Sequence, residues 1–199
     1  MNTQSHILMG ALLFGKPLPK LALAGALGGL VPDLPMFAIV AALRLGGHPF
    51  EEIFGKLYWE RWWQVCNAVS HSFLLWGVLA AASGIVLFKR GRSAAPRAAL
   101  LFAFSGAALV HSCVDFLVHR EDAHMQFWPL SDWKFVSPVS YWDQAHYGGW
   151  FGLFEAGLGI FMAVVLFRIY RSLLARCALA LCMALYAAVP AFFIFNMSH

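Results

Sequence analysis

Apolar residues in this chain fall in long blocks separated by short polar connections, with neither strand-like alternation nor a one-sided helical stripe. Four blocks meet or approach the ~20 residues that a helix needs to cross hydrocarbon. They are residues 21–43, interrupted only by Asp33, then 72–88, 98–117 and 177–197. A fifth, 150–167, contains one acid, Glu155. Residues 7–15 are too few to cross alone and read as a short tilted helix or a re-entrant segment. Lipid admits only helices or closed barrels as spanning structures, and blocks that do not alternate exclude the barrel. The pattern predicts an all-α, polytopic transmembrane helix bundle of five to six spans, forming a single domain over residues 1–199.

Two polar segments lie between the blocks. Residues 44–69 carry aromatic and charged positions at helical spacing (Phe50, Phe54, Trp59, Trp62, Trp63 beside Glu51, Glu52, Lys56, Arg61), which predicts an amphipathic helix in the outer interface. Residues 119–149 form a loop rich in Trp, Tyr and Pro. Both segments read as an aromatic belt at headgroup level or as a lid over a substrate.

Composition agrees with the pattern. The chain is 61% hydrophobic and 12% charged, against about 25% charged in soluble domains. The net charge of +4 would raise nucleic acid as a partner. The basic residues, however, sit in short connections without acids: Lys16 and Lys20, then Lys89, Arg90, Arg92 and Arg97, then Arg168, Arg171 and Arg176. That is a topology signal, placing the three connections in the cytoplasm and the acids opposite or within spans. Six crossings with both termini outside satisfy it, and no nucleic-acid binding is predicted. The start, Met1 to His6, lacks the basic region of a cleavable signal peptide. Cys66, Cys113, Cys177 and Cys182 show no CxxC spacing and read as small apolar helix residues, with a disulfide or thiolate ligand open at Cys66 and Cys113.

An ionisable residue inside a span costs several kcal/mol unless partnered, which makes it a functional candidate. This chain offers His6, Asp33, His71, His111, Asp115 and Glu155. Counting from the cytoplasmic ends at ~1.5 Å per residue, Asp33 stands about 20 Å above Lys20, and His111 about 21 Å and Asp115 about 27 Å above Arg97. His6 and His71 sit at the same outer end, so five groups from four segments reach one depth. His111-Ser-Cys-Val-Asp115 places imidazole and carboxylate on one helical face, able to grip one ion or to bridge two, or simply to hydrogen-bond each other. His119 continues that face and His124 follows in the loop, so the candidate metal ligands are His6, Asp33, His71, His111, Asp115, His119 and His124. Asp33, between Pro32 and Pro35, marks a broken or kinked helix, as ligand or as cap of the second half. Glu155, among Gly152, Gly157 and Gly159, suits an interhelical hydrogen bond as well as a ligand role. His146 is a loop candidate for a second metal, whereas His48 and His199 read as solvated. No GxSxG, P-loop or GxGxxG motif is present.

Ser5-His-Ile-Leu-Met-Gly, Leu30-Val-Pro-Asp-Leu-Pro, Val69-Ser-His-Ser and Val110-His-Ser-Cys-Val-Asp, in this order, resemble the membrane-bound metal-dependent hydrolases of the YdjM type, also named LexA-binding inner-membrane-associated hydrolases. The resemblance covers roughly residues 3–142 and implies His6, Asp33, His71, His111 and Asp115 as ligands in a bacterial inner-membrane protein. One departure is that Cys66-Asn-Ala stands where the family usually has His-Arg-Gly. The His/Asp order is similar, more remotely, to the zinc-dependent phospholipase C and P1-type nuclease fold.

Together these readings predict a metal-dependent hydrolase at the outer, periplasmic face, with zinc as the ion and manganese or iron behind it. A phosphoester of a membrane lipid or lipid-linked headgroup suits the depth of the site. Arg120 and Lys134 are candidate phosphate contacts or solvated loop charges, and no residue stands out as general base, a role open to Asp33 only if it does not bind metal. The alternative is a non-catalytic membrane protein in which the cluster is a structural metal site or a hydrogen-bonded staple. A transporter would need ionisable residues in the cytoplasmic half of the spans, and the sequence offers none there.

Overall fold

The computed structural model describes residues 1–15 and 18–196, with side chains up to residue 188. It is 74% helix, without strands among the described residues. The helices are α1 (Thr3–Phe14), α2 (Pro19–Leu30), α3 (Leu34–Leu45), α4 (Phe50–Gly55), α5 (Arg61–Ser70), α6 (Phe73–Arg90), α7 (Pro96–Val118), α8 (Gly148–Ile169) and α9 (Leu173–Asn196). Single 3-10 turns lie at Leu57–Trp59 and Gln144–His146.

Three stretches are long and apolar enough to cross a membrane: Arg61–Arg90, which joins α5 to α6, Pro96–Val118 and Gly148–Ile169. The pair α2 and α3, bent by 57°, is a fourth if taken as one broken span. The described residues thus hold three to four candidate spans where the hydrophobic pattern predicts five or six, and the difference lies in α1 and α9. α1 has 12 residues, about 18 Å of helix against ~30 Å of hydrocarbon. α9 runs over Leu173–Asn196, 24 residues, and the predicted span 177–197 reaches past Ala188, beyond which no side chain is described, so it is not among these spans. Lys16 and His199 also lie outside the described residues.

Small residues let the helices approach closely, as packing in lipid favours. Gly10 of α1 and Gly25 of α2 face each other so tightly that a Cβ on either would strike the other's carbonyl oxygen. α7 buries a face of Ala99, Ala103, Gly106, Ala107 and Ala108 against its neighbours. The opposite faces carry exposed apolar side chains, among them Leu23, Val78, Phe88, Phe154 and Phe161, the distribution expected where lipid rather than water surrounds a bundle.

The two ends of the bundle differ in chemistry. At one end Leu21, Ala99 and Ala103 cluster with Phe14 and Leu87, and the Tyr170 hydroxyl donates to Gly15 O at 3.4 Å. The connections bearing Lys89–Arg97 and Arg168–Arg176 therefore share this end. The other end gathers the start of α1, the α2–α3 break, the α5–α6 junction and the end of α7. The break follows from Pro32 and Pro35, which cannot donate to the helical ladder. Ser72 caps α6 by accepting from Leu75 N at 3.2 Å, and Trp76 Nε1 donates back to Ser70 O at 2.7 Å.

Residues 44–69 fold as two helices and a turn rather than one amphipathic helix. Ile53, Tyr58 and Trp63 turn inward onto Met36, Ile39 and Val40 of α3, while Phe50, Phe54, Trp59 and Trp62 stay exposed. The 119–147 loop is strapped to the end of α7. Ser137 N donates to His119 O at 3.1 Å and Tyr141 N to Val118 O at 3.0 Å, and Ser137 Oγ donates to Leu117 O at 2.6 Å.

Candidate metal centre

Helix register explains the first half of the site. Asp115 lies one turn beyond His111 on α7, and both are buried. His111 Nδ1 is 2.7 Å from Gly29 O, an acceptor, so Nδ1 carries the ring proton and Nε2 presents a lone pair. That Nε2 points at Asp115 Oδ2 (3.0 Å) and Asp33 Oδ1 (3.6 Å). His71, at the C-terminus of α5, repeats the arrangement: Nδ1 lies 3.0 Å from Asn67 O, and Nε2 lies 3.6 Å from Asp115 Oδ2 and 3.7 Å from Asp33 Oδ1. Neither Nε2 has a hydrogen-bond partner among the described residues. Two imidazole lone pairs and two carboxylate oxygens thus converge in a buried space, where they repel one another unless a cation sits between them. Ligand atoms around a tetrahedral ion with ~2.1 Å bonds stand about 3.4 Å apart, which matches these separations. The residues present fit a divalent metal.

Asp33 reaches this point because the helix breaks. It occupies the N-cap position of α3, yet its side chain caps nothing. Its Oδ2 accepts instead from the Thr3 hydroxyl, and its Oδ1 faces the two histidines. The break therefore serves the cluster.

The second half lies on the other oxygen of Asp115. His6 Nε2 is 2.9 Å from Oδ1, with its ring stacked 3.6 Å from that of His111. His119 Nε2 is 3.5 Å from Oδ1, and its Nδ1 is 2.9 Å from Asp122 Oδ2. The Met1 ammonium donates to Oδ1 at 2.7 Å, so a positive charge already stands on this side. His124 is buried, stacks on His71 at 4.1 Å and lies beside His119. Among the described residues, ligand-capable atoms fall into three groups, each within 4.8 Å, and two of them share Asp115: Asp33, His71, His111 and Asp115, and then Asp115, His119 and His124. His6 belongs to none of the groups and is placed as a partner of Asp115.

Protonation outside the spans follows from the same surroundings. Burial, then the neighbouring His71 and His119, holds the His124 pKa well below the ordinary imidazole value, leaving a neutral ring. Burial also acts against charge on His119, but Asp115 and Asp122 outweigh it and raise its pKa. The same pairing brings Asp122 below the usual carboxylate range despite its burial.

A cavity of about 320 Å³ opens beside the cluster. Besides the ligand candidates, residues 1–4, Met36 and Phe37 line it, as do Tyr58, Asn67, Asp122 and Tyr141, none of these four singled out in the sequence. Spacing could have flagged two of these, since Asn67 is one helical turn before His71 and Asp122 three residues after His119. Arg120 and Lys134 do not line it. Arg120 Nη1 donates to Ser137 O at 3.1 Å and Lys134 Nζ to Gln64 Oε1 at 2.8 Å, so loop packing occupies both.

The remaining candidates lie elsewhere. Glu155 is fully buried on α8 and accepts from Asn2 N and Asn2 Nδ2, each at 2.8 Å, and from the Ser5 hydroxyl. It is an anchor for the first turn of α1 rather than a member of the cluster. His146 groups with Asp143 and Glu121 near the surface, apart from the buried centre, and His48 pairs with Glu52 at 3.0 Å on a partly exposed helix end. All four cysteines are free, and none joins the His/Asp groups, which removes the disulfide and thiolate options at Cys66 and Cys113. Comparison of the chain with known protein families, with curated proteins and with solved structures finds no match.

Proposed function

We propose that the protein is a metal-dependent hydrolase embedded in the bacterial inner membrane, related to the YdjM-type hydrolases, with its site at the periplasmic face. The observation that carries the metal reading is the convergence of the unpartnered Nε2 atoms of His71 and His111 on Asp33 and Asp115. Zinc suits this His/Asp donor set, with manganese or iron as substitutes. The basic connections gather at the opposite end of the bundle from the cluster, which supports a cytoplasmic face for the one and a periplasmic face for the other. Six crossings, with α1 and α9 completing the bundle, remain our reading of the topology.

The chain's own residues hold the donors in place. Gly29 O and Asn67 O fix the tautomers of His111 and His71, an outer-shell arrangement that orients metal-binding imidazoles. Thr3 holds Asp33, and Glu155 holds the first turn of α1. A bound divalent metal would supply a Lewis acid and a water acidified toward neutral pH. Tyr58 and Tyr141 give the cavity polar, aromatic walls, and burial pushes both hydroxyls above their ordinary range, so they remain neutral donors. A phosphoester carried by a lipid or lipid-linked headgroup fits a cavity at this end of the bundle.

Elemental mass spectrometry of the detergent-purified chain, beside a His111→Ala/Asp115→Ala double variant, tests the reading. Stoichiometric zinc or manganese that disappears in the variant, with hydrolysis of a lipid phosphoester that disappears with it, is the expected result. A folded wild type that takes up no metal on supplementation overturns it. The second reading is a structural centre, favoured by the hydrogen bonds that Asp115 and Glu155 already make to Met1, Asn2 and His6. Stoichiometric metal without turnover on any phosphoester would support that reading.

A further inference from the structure

We infer that the site holds two divalent cations bridged by Asp115, the second bound by Asp115 Oδ1, His119 and His124. This rests on the metal reading above and adds to it a count and a bridging ligand.

The two oxygens of Asp115 divide their neighbours without overlap. Oδ2 faces His111 Nε2 at 3.0 Å and His71 Nε2 at 3.6 Å, and Oδ1 faces His6 Nε2 at 2.9 Å and His119 Nε2 at 3.5 Å. A carboxylate serving one ion would leave its second oxygen to hydrogen-bond donors alone. Here, besides His6, that oxygen meets the imidazole of His119, whose Nδ1 stands 2.9 Å from Asp122 Oδ2. Asp122 thus lies on the far side of the ring from Asp115, the side from which a carboxylate orients a metal-bound imidazole. His124 completes the group with a ring that is buried and has an unpartnered Nδ1. On this oxygen the Met1 ammonium now stands at 2.7 Å, the place of a cation.

Charge gives a second, independent argument. Three carboxylates, Asp33, Asp115 and Asp122, and the Met1 ammonium line the cavity, and among the described residues no lysine or arginine does. One divalent cation only brings this lining to neutrality, which gives an anionic phosphoester no attraction. Two make it positive, and two-metal sites with a bridging group stabilise both the attacking and the leaving oxygen in such displacements. With Arg120 and Lys134 held in loop packing, the second cation takes the part that a phosphate-binding arginine would otherwise play.

Manganese tests this on the full chain in detergent. After saturation with Mn²⁺ and removal of free ion, elemental analysis is expected to give two ions per chain. Electron paramagnetic resonance is expected to show an exchange-coupled pair in place of an isolated six-line signal. His119→Ala and His124→Ala should each retain one ion and show the isolated signal, with melting and size-exclusion profiles reporting that the fold survives. One ion per wild-type chain with an uncoupled signal overturns the second site while leaving the metal reading intact. No ion overturns both. The wild-type spectrum decides the question even if a variant fails to fold.

Discussion

Replacing Gly29 by alanine tests how closely the site depends on helix contact. Gly29 lies on the face of α2 against α1, and a Cβ there would strike His6 O and stand 3.0 Å from Ile7 N. Both are backbone atoms of a helix, so no rotamer change relieves the clash. Restoring an ordinary ~3.5 Å separation asks α1 and α2 to part by about 1 Å. Overpacking of this kind costs roughly 1–3 kcal/mol, the upper part applying where backbone must move. At ~2–4 °C per kcal/mol for a chain of this length, Tm should fall by on the order of 5–10 °C. The same displacement pulls Gly29 O from His111 Nδ1, now 2.7 Å away, and loss of such an outer-shell contact weakens metal binding by roughly 10–100-fold. Gly77→Ala is the control, since a Cβ there meets nothing within 4 Å. Thermal melts in detergent, with zinc competition against a chelator, measure both effects. If Gly29→Ala matches Gly77→Ala in Tm and zinc affinity, the argument that this contact positions the site is wrong.

Other expectations follow from single contacts. Glu155→Ala takes the acceptor from the exposed Asn2 and leaves the Ser5 hydroxyl with Tyr186 alone, and should cost about 1–3 kcal/mol in all, while Glu155→Gln keeps one carbonyl acceptor and should lose less; detergent melts distinguish them. Trp63→Ala empties a fully buried position and should destabilise by roughly 3–5 kcal/mol, whereas Trp62→Ala, half exposed, should change Tm little. Arg120→Ala and Lys134→Ala should leave metal content unchanged, as elemental analysis would show, because neither side chain reaches the cavity. Asn67→Ala keeps the backbone carbonyl that holds His71 Nδ1, so it should retain metal; loss of metal would instead assign the Asn67 side chain a role in the site.

Much of this molecule is legible without coordinates, for reasons that lie in lipid physics. Long apolar blocks must be helical because lipid offers the backbone no partners, and an ionisable residue among them must find one. Counting residues along straight helices was enough to bring Asp33 and His111 to one depth, because the rise per residue is constant; their atoms lie 3.6 Å apart. The i,i+4 spacing likewise put His111, Asp115 and His119 on one face. What spacing could not decide was everything set by contacts between segments distant in the chain. Whether Asp33 caps α3 or turns to Thr3 and the histidines depends on where α1 lies. The tautomer of His111 depends on a carbonyl of α2, and the division of Asp115 between two groups depends on how a loop folds back over the end of α7. Glu155 showed only that it was buried and in need of partners, and the tertiary fold supplied them from the first turn of α1. Arg120 and Lys134 were open to a phosphate on charge alone, and the loop's own packing closed that option. Local periodicity is written in the order of residues, whereas which polar groups meet is decided by helix packing, and there a few glycines determine how near the backbones come.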